Sequence, residues 1–351
     1  MFVTSKLKYM EDKNKYDLII IGAGPAGLAA SIYASRYKIN HLVIGQVFDS
    51  SLFKAYSVEN YPGFKKIKGA DLIQKFYDQA KILGAKIISE ETVDITRLCF
   101  SQKVDNSNFS LQRNETRQKE NSQFPTSGRE ITSFKITTSL NKIFESRFVL
   151  LTLGTKQRKL NIPGEKEFLG KGVSYCAVCD AAFFKNKKTV VVGGSDSAVM
   201  AALLLAEYAE KVFLIYRKSE LRCEPIKKEQ LKKNSKIEII YETNVAEIRG
   251  RDKVEFVKLD KEYKNSLILK ADGIFIEAGA VPPEILIRNM GIETDRDGYV
   301  IINEKGETNV KGFYAAGDVT NGSNGLRQVV TAVSEGVVAA ASVYKKLKDR
   351  N

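Results

Sequence analysis

A chain of 351 residues exceeds what one ordinary hydrophobic core supports and predicts about two domains. Its net charge of +13 comes from basic residues scattered among acids, without aromatic and basic residues interleaved, so nucleic acid is excluded as the reading of that charge. Four cysteines in so long a chain argue against an extracellular disulfide framework and for a reducing, cytoplasmic setting; no membrane span is expected either, because the most apolar stretch, Val190 to Ala206, is broken by Asp196.

Met1 to Tyr16 is polar, and no targeting segment is expected there, since the apolar run Leu18 to Ile21 leads into a glycine loop rather than a cleavage site. That run and its sequel, Gly22-Ala23-Gly24-Pro25-Ala26-Gly27 followed by the helical pattern Leu28 to Tyr37, predict a strand, a tight turn and a helix. In such a unit Gly22 makes the turn, Gly24 lets the backbone approach a pyrophosphate, and Gly27 lets the helix pack on the strand. The helix N-terminus then offers its free amides to the anion. The next strand, His41 to Gln46, ends without the acidic residue that usually takes a ribose hydroxyl, so the ribose contact of this half has no assigned residue. Ser101 to Glu130 is polar with little apolar periodicity and reads as an exposed loop or stretched hairpin without chemistry.

Cys176-Ala177-Val178-Cys179-Asp180 follows. Two thiols at this spacing can close a small ring, and a helix beginning just after them, over Asp180 to Phe184, would favour thiolate and exchange chemistry. A structural zinc site would need about four ligands, whereas the remaining candidates, Cys99, Cys223 and the lone His41, have no ligand spacing; an inert pair is the other alternative. A second strand, glycine turn and helix then occupies Thr189 to Ala209, with Gly193-Gly194-Ser195-Asp196-Ser197-Ala198 as its loop. Ser195 stands where the middle glycine would be, and Ala198 still permits close helix packing. The strand Lys211 to Tyr216 runs into Arg217, Lys218 and Arg222, where basic groups in place of an acid favour a 2′-phosphate, hence NADP over NAD. The basic run Lys227 to Lys236 reads as a solvated helix face, with a dock for an acidic partner as the alternative. Near the C-terminus, Gly312 to Asp318 reads as an apolar strand reaching a Gly-Asp turn, followed by a helix to about Leu347. A buried Asp318 needs donors such as ligand hydroxyls, or else caps a helix.

Together, Gly-Ala-Gly-Pro-Ala-Gly, Cys-Ala-Val-Cys-Asp between the two loops, and Ala-Ala-Gly-Asp near the C-terminus resemble the low-molecular-weight thioredoxin reductases, over all but the tail before Tyr16 and the insertion near Ser101 to Glu130. The resemblance implies an α/β chain of two Rossmann-like dinucleotide-binding domains of three-layer ββα type. Residues 1–157 and 284–351 would form a discontinuous FAD domain, and 158–283 an inserted NADPH domain. It implies that Gly22, Gly24, Pro25, Ala26 and Gly27 hold the FAD pyrophosphate, that Asn60 lies near the flavin, and that Asp318 beside Gly317 takes the ribityl chain. Arg327, Gln328 and Val329 match the segment that lines the isoalloxazine. Gly193 to Ala198 would bind NADPH, with Arg217, Lys218 and Arg222 on its 2′-phosphate. Tyr216 replaces the family's usual His and Lys218 its Arg, which exchanges a bidentate fork for a point charge.

By the same resemblance Cys179 lies against the flavin, Cys176 attacks the partner's disulfide, Asp180 exchanges protons, and the linkers Gln157 to Pro163 and Ala280 to Glu284 absorb a rotation of the inserted domain. Thioredoxin or a thioredoxin-like protein is the implied partner and a homodimer the implied assembly. One departure stands out: Asp49-Ser50-Ser51-Leu52 occupies the place of the family's Gly-Gly-Gln-Leu near the flavin. It leaves an alternative in which the same fold takes electrons from ferredoxin or NADH, against which the basic cluster argues. A non-catalytic nucleotide-binding module would leave the cysteine pair unused.

Overall fold

In the computed structural model, which describes residues 14–102, 111–115 and 131–349, the apolar runs become parallel strands with both faces covered. Lys15–Ile21 (β1) is buried over its last four residues and His41–Ile44 (β2) throughout. Lys86–Ile88 (β3), Thr92–Gln102 (β4), Leu111–Glu115 (β5), Ile131–Thr138 (β6) and Ile143–Leu151 (β7) follow, in the sheet order β3-β2-β1-β7-β6-β4-β5. The pairs β3–β2, β2–β1 and β1–β7 are parallel, while β7–β6, β6–β4 and β4–β5 are antiparallel. Helix Pro25–Arg36 (α1) starts on a proline, whose missing N–H costs nothing in the first turn. Gly69–Ile82 (α2) precedes β3. Within Ser101 to Glu130, Leu111–Glu115 pairs with the end of β4, in the manner of a hairpin; the remainder of that reading at 103–110 and 116–130, and the leader expectation at 1–13, lie outside the described residues.

The chain then builds a second unit. Its short strands Lys156–Gln157 (β8) and Val173–Ser174 (β9) lead to Lys188–Val192 (β10), Lys211–Tyr216 (β11) and Ile237–Tyr241 (β12). An antiparallel set follows, Val245–Gly250 (β13), Val254–Tyr263 (β14) and Ser266–Lys270 (β15), and then Gly273–Ile276 (β16) and Ala280–Val281 (β17). A five-stranded parallel sheet runs in the order β12-β11-β10-β16-β9. Its helices are Ala177–Asp180 (α3), Asp196–Tyr208 (α4) and Pro225–Lys232 (α5). The alternation of a strand makes the layers legible: Val191 and Phe275 point into a core shared with α4, while Val190, Val192, Ile274 and Ile276 point into one shared with β13–β15.

After β17 the chain returns to the first unit through Glu284–Asn289 (α6), Phe313–Ala315 (β18), which pairs in parallel with β7, and the long helix Val329–Lys348 (α7). The first unit thus comprises the described residues up to Phe53, Glu59–Thr155 and those from Pro282 onward; the second is Lys54–Val58 and Lys156–Val281. The two crossings of the second unit lie side by side, because β8 and β17 pair antiparallel, Gln157 with Ala280 and Lys156 with Val281. Lys54–Val58, within the first domain in the sequence reading, goes with the second unit because Tyr56 packs on its helical core and donates its hydroxyl to Glu207 at 2.8 Å. Among the described residues no helix is long and apolar enough to cross a membrane.

Phe275 is fully buried in the second unit, with its ring edge-on to Phe184 at 5.1 Å. Phe275→Ala is expected to lower the stability of that unit by about 3–5 kcal/mol, read as a shifted urea midpoint of its unfolding transition.

Candidate active site

The first glycine turn sits where β1 ends. Gly22 has φ +113°, a left-handed conformation that disfavours a side chain, and its amide donates to the Ile44 carbonyl at 2.8 Å. Thr152, just past β7, closes the turn with its hydroxyl hydrogen shared between the carbonyls of Ile21 at 3.0 Å and Gly22 at 2.8 Å. A Cβ on Gly27 would collide with the Gly22 carbonyl, so this position lets α1 lie directly on the turn. Gly24 is different: the nearest atom a Cβ there would meet is the Ser50 Cβ, 3.9 Å away. The space over Gly24 is open, α1 has no side-chain cap, and no acid stands in its first turn. An uncapped twelve-residue helix facing open space fits a pyrophosphate. The missing acid after β2 has a steric counterpart, because a Cβ at Gly45 would stand 2.7 Å from the Ala23 amide nitrogen.

The altered segment runs past this turn. Val47–Asp49 makes a single 3-10 turn, Leu52 is buried, and the Ser50 hydroxyl accepts the Phe53 amide at 3.2 Å. On the same unit, Asn60 donates its side-chain amide to the Gln328 side chain at 3.0 Å, which brings together two residues 268 positions apart. Gln328 is the N-cap of α7 in a capping box with Thr331, and Val329 opens that helix. Arg327 lays its guanidinium over the Tyr299 ring, 3.5 Å from the centroid. Asp318 lies past the end of β18 in a turn that begins at Gly317. It caps no described helix, so the capping alternative falls. Burial pushes its carboxyl up to about 6, with Arg327 pulling it down and Glu335 pushing it further up.

In the second unit, Gly193 to Ala198 occupies the corresponding place after β10, and α4 begins at Asp196 with Ser195 as N-cap. Ala198 is fully buried. The ring of Tyr216, itself buried, lies on Gly194, the residue before Ser195, so closely that a Cβ there would overlap it. Tyr216, which stands in place of the family's usual His, packs in the core of the second unit. The basic segment is tied to the loop by the Arg222 amide on the Gly194 carbonyl at 2.7 Å and the Glu224 amide on the Asp196 carboxylate at 2.9 Å. Arg217, Lys218 and Arg222 are exposed beside it. The run after them is largely committed within the unit: Lys227 and Lys228 pair with Glu224 and Glu220, and Lys236 caps α4 through the carbonyls of Ala206 and Ala209 at 3.0 Å.

Cys176 and Cys179 are joined by a disulfide, with Cα atoms 5.3 Å apart. The short helix α3 begins inside the pair at Ala177, earlier than expected. Cys176 is its N-cap and its sulfur accepts the Cys179 amide at 3.2 Å. Asp180 is held by Ser174, whose hydroxyl donates to its carboxylate at 2.6 Å and accepts the Cys176 amide at 3.0 Å. The preceding residue is anchored too, since Tyr175 donates its hydroxyl to Glu165, whose two oxygens also accept the amides of Leu160 and Asn161. Gln157 donates to the Tyr175 carbonyl. Ser174, Tyr175 and Glu165 had no signal in the sequence beyond their nearness to the cysteines.

Two dinucleotide folds, one inserted in the other and bearing a redox-capable disulfide, define an oxidoreductase that couples nucleotides to a disulfide. The chain belongs to the pyridine nucleotide-disulphide oxidoreductase family, which matches residues 16–336. It is 38% identical over 337 residues to a thioredoxin reductase of Listeria innocua, covering 95% of this chain and 94% of that one. It is 36% identical over 343 residues to that of Bacillus subtilis, covering 97% of each. Among solved structures, thioredoxin reductases of Lactococcus lactis and T. acidophilum each superpose with a TM-score of 0.80, at 31% and 32% identity, over 95% of this chain and 99% of theirs. FAD and NADPH are the cofactors of such reductases.

A second carboxyl raised by desolvation, which the sequence reading missed, lies just past the end of β16. Glu277 donates its amide to the Val192 carbonyl at 2.8 Å beside Gly193, and burial pushes its carboxyl up to about 7 from 4.5. A carboxyl raised in the folded state opposes folding once ionised: the cost is absent below about pH 4.5 and complete above about pH 7. Glu277→Gln is therefore expected to be more stable than the parent by about 1–3 kcal/mol at about pH 8.5 and equal to it near pH 4.5, measured by urea unfolding at both values.

Proposed function

We propose that the protein is an NADPH-dependent thioredoxin-disulfide reductase, acting on thioredoxin or a thioredoxin-like protein. The observation that carries this reading is the Cys176–Cys179 disulfide on the second of two dinucleotide units. The thioredoxin reductases of Listeria and Bacillus, matched nearly end to end, support it. A cytoplasmic setting and a homodimer belong to the same proposal.

On this reading Gly22, Gly24, Pro25, Ala26 and Gly27 receive the FAD pyrophosphate, and Asn60, Asp318, Arg327, Gln328 and Val329 contact the rest of it. Gly193 to Ala198 receive NADPH, with Arg217, Lys218 and Arg222 on its 2′-phosphate. Bound together, the two cofactors supply the hydride chemistry that delivers two electrons to the Cys176–Cys179 bond. The dithiol so formed is spent by exchange. The Cys176 thiolate attacks one sulfur of the partner's disulfide, a mixed disulfide forms, and the partner's other sulfur leaves as thiolate and takes up a proton. Cys179 then attacks the Cys176 sulfur, the 176–179 bond re-forms, and the partner's second sulfur leaves in the same way. Asp180, which accepts the Ser174 hydroxyl, gives and takes these protons on this reading. The Cys179 amide on the Cys176 sulfur favours negative charge there, which supports Cys176 as the attacking group.

Three outcomes check this. Anaerobic NADPH is expected to bleach the flavin band and generate about two thiols per chain, whereas a flavin left oxidised by both nucleotides would move the electron source elsewhere. Cys179→Ser is expected to trap the partner in a mixed disulfide through Cys176, with turnover below about 1% of the parent, and a trap formed instead by Cys176→Ser would reverse the roles. Arg217→Ala is expected to raise KM for NADPH by about tenfold and leave that for NADH unchanged, measured in steady-state assays.

A further inference from the structure

Glu335 lies within α7, where the sequence gives it no more significance than a solvated acid. In the structure one carboxylate gathers three donors from a single loop. Its Oε2 accepts the Gly317 amide at 2.8 Å and the Thr320 hydroxyl at 2.9 Å, and its Oε1 accepts the Ser323 hydroxyl at 2.6 Å. The loop is cut to fit this carboxylate, since a Cβ at Gly322 would stand 2.6 Å from Oε1. The Thr320 hydroxyl shares its one hydrogen between Oε2 and the Gly317 carbonyl, 3.0 Å away, and accepts the Gly322 amide at 3.1 Å. Between Gly317 and Thr320 stands Asp318. The next residue of α7, Gly336, rests on the carbonyl of Ala26, and a Cβ at Gly317 would come within 3.0 Å of the Ala26 Cβ. The turn that carries Asp318, the start of α1 and the body of α7 thus meet at one place, and Glu335 supplies the polar bonds that hold the turn to the helix.

We propose that Glu335 is a positioning residue for the FAD site, fixing the Gly317–Ser323 turn so that the Asp318 carboxyl is presented to the ribityl hydroxyls. The inference rests on the reading of the first unit as the FAD site. Bonds to an ionised carboxylate are about twice as strong as neutral ones, and three of them replace the loop's freedom by one geometry. Without them the turn keeps its residues but not their aim, and Asp318 must be ordered at the expense of FAD binding.

The test is an FAD titration of the apo full-length protein, followed by quenching of flavin fluorescence. Glu335→Ala is expected to weaken FAD binding by about 10- to 100-fold. Glu335→Gln, which keeps one acceptor oxygen, is expected to recover most of that loss, and the pair Thr320→Val and Ser323→Ala to reproduce part of it should Glu335→Ala fail to fold. Asp318→Ala weakens binding on its own, and adding Glu335→Ala to it is expected to cost less than about threefold more, because Glu335 acts through Asp318. Binding by Glu335→Ala within about twofold of the parent would overturn the proposal, as would fully additive losses in the double variant. A parent apoprotein that binds no FAD would instead overturn the reading of the first unit as the FAD site.

Discussion

The structure depends on a missing side chain. Gly336 lets α7 close onto α1 until its backbone rests on the Ala26 carbonyl, a separation that any Cβ would prevent. Both helices begin at the first dinucleotide site, α1 behind Gly24 and α7 behind Gln328. Their contact therefore sets how the first glycine turn relates to Asn60, Asp318 and Gln328, the two ends of the proposed FAD site. It also explains why the first unit must be discontinuous: β18 and α7 complete its sheet and its helical layer from the far end of the chain. Asp318, Arg327, Gln328 and Val329, proposed to contact FAD, all lie on that return.

The two units use one recipe and fill it differently. In each, a parallel strand ends in a glycine turn and a helix, and each has an antiparallel set of strands, continuous with the parallel sheet in the first unit and a separate sheet in the second. In the first the space over Gly24 is open. In the second, Ser195 stands at the corresponding place, the Tyr216 ring packs on the preceding Gly194, and the loop is tied through Asp196 and Gly194 to the basic segment that follows. Each unit also carries a carboxyl just past the end of a parallel strand, Asp318 after β18 and Glu277 after β16, and both are raised by burial. The carboxyl ends of parallel strands are where such folds bind ligands, and a desolvated carboxyl there is an acceptor in want of donors.

The redox pair is held by its neighbours in sequence more than by distant contacts. Ser174 bridges the Cys176 amide and Asp180, and Glu165 ties Tyr175 to the segment entering the unit. Both cysteines thus sit on a short rigid stretch whose reference point is the second unit's own sheet, which β9 joins through β16.

Much of this was legible from residues alone, because it depends on local chemistry. Alternating glycines after an apolar run demand a turn at Gly22 and close helix packing at Gly27, and two cysteines three positions apart can bond without help from the rest of the fold. What escaped the sequence depends on approach from afar: the attachment of Lys54–Val58 to the second unit, the burial of Tyr216, the raised carboxyl of Glu277, and the three donors on Glu335. The sequence by itself determined the turns, the pair and the order in which they occur, since each is a property of a few adjacent residues. Only the tertiary structure decided which polar side chains are desolvated and which find partners, because burial and hydrogen bonding are set by residues on other elements, from a dozen positions away for Glu335 to 268 for Asn60 and Gln328.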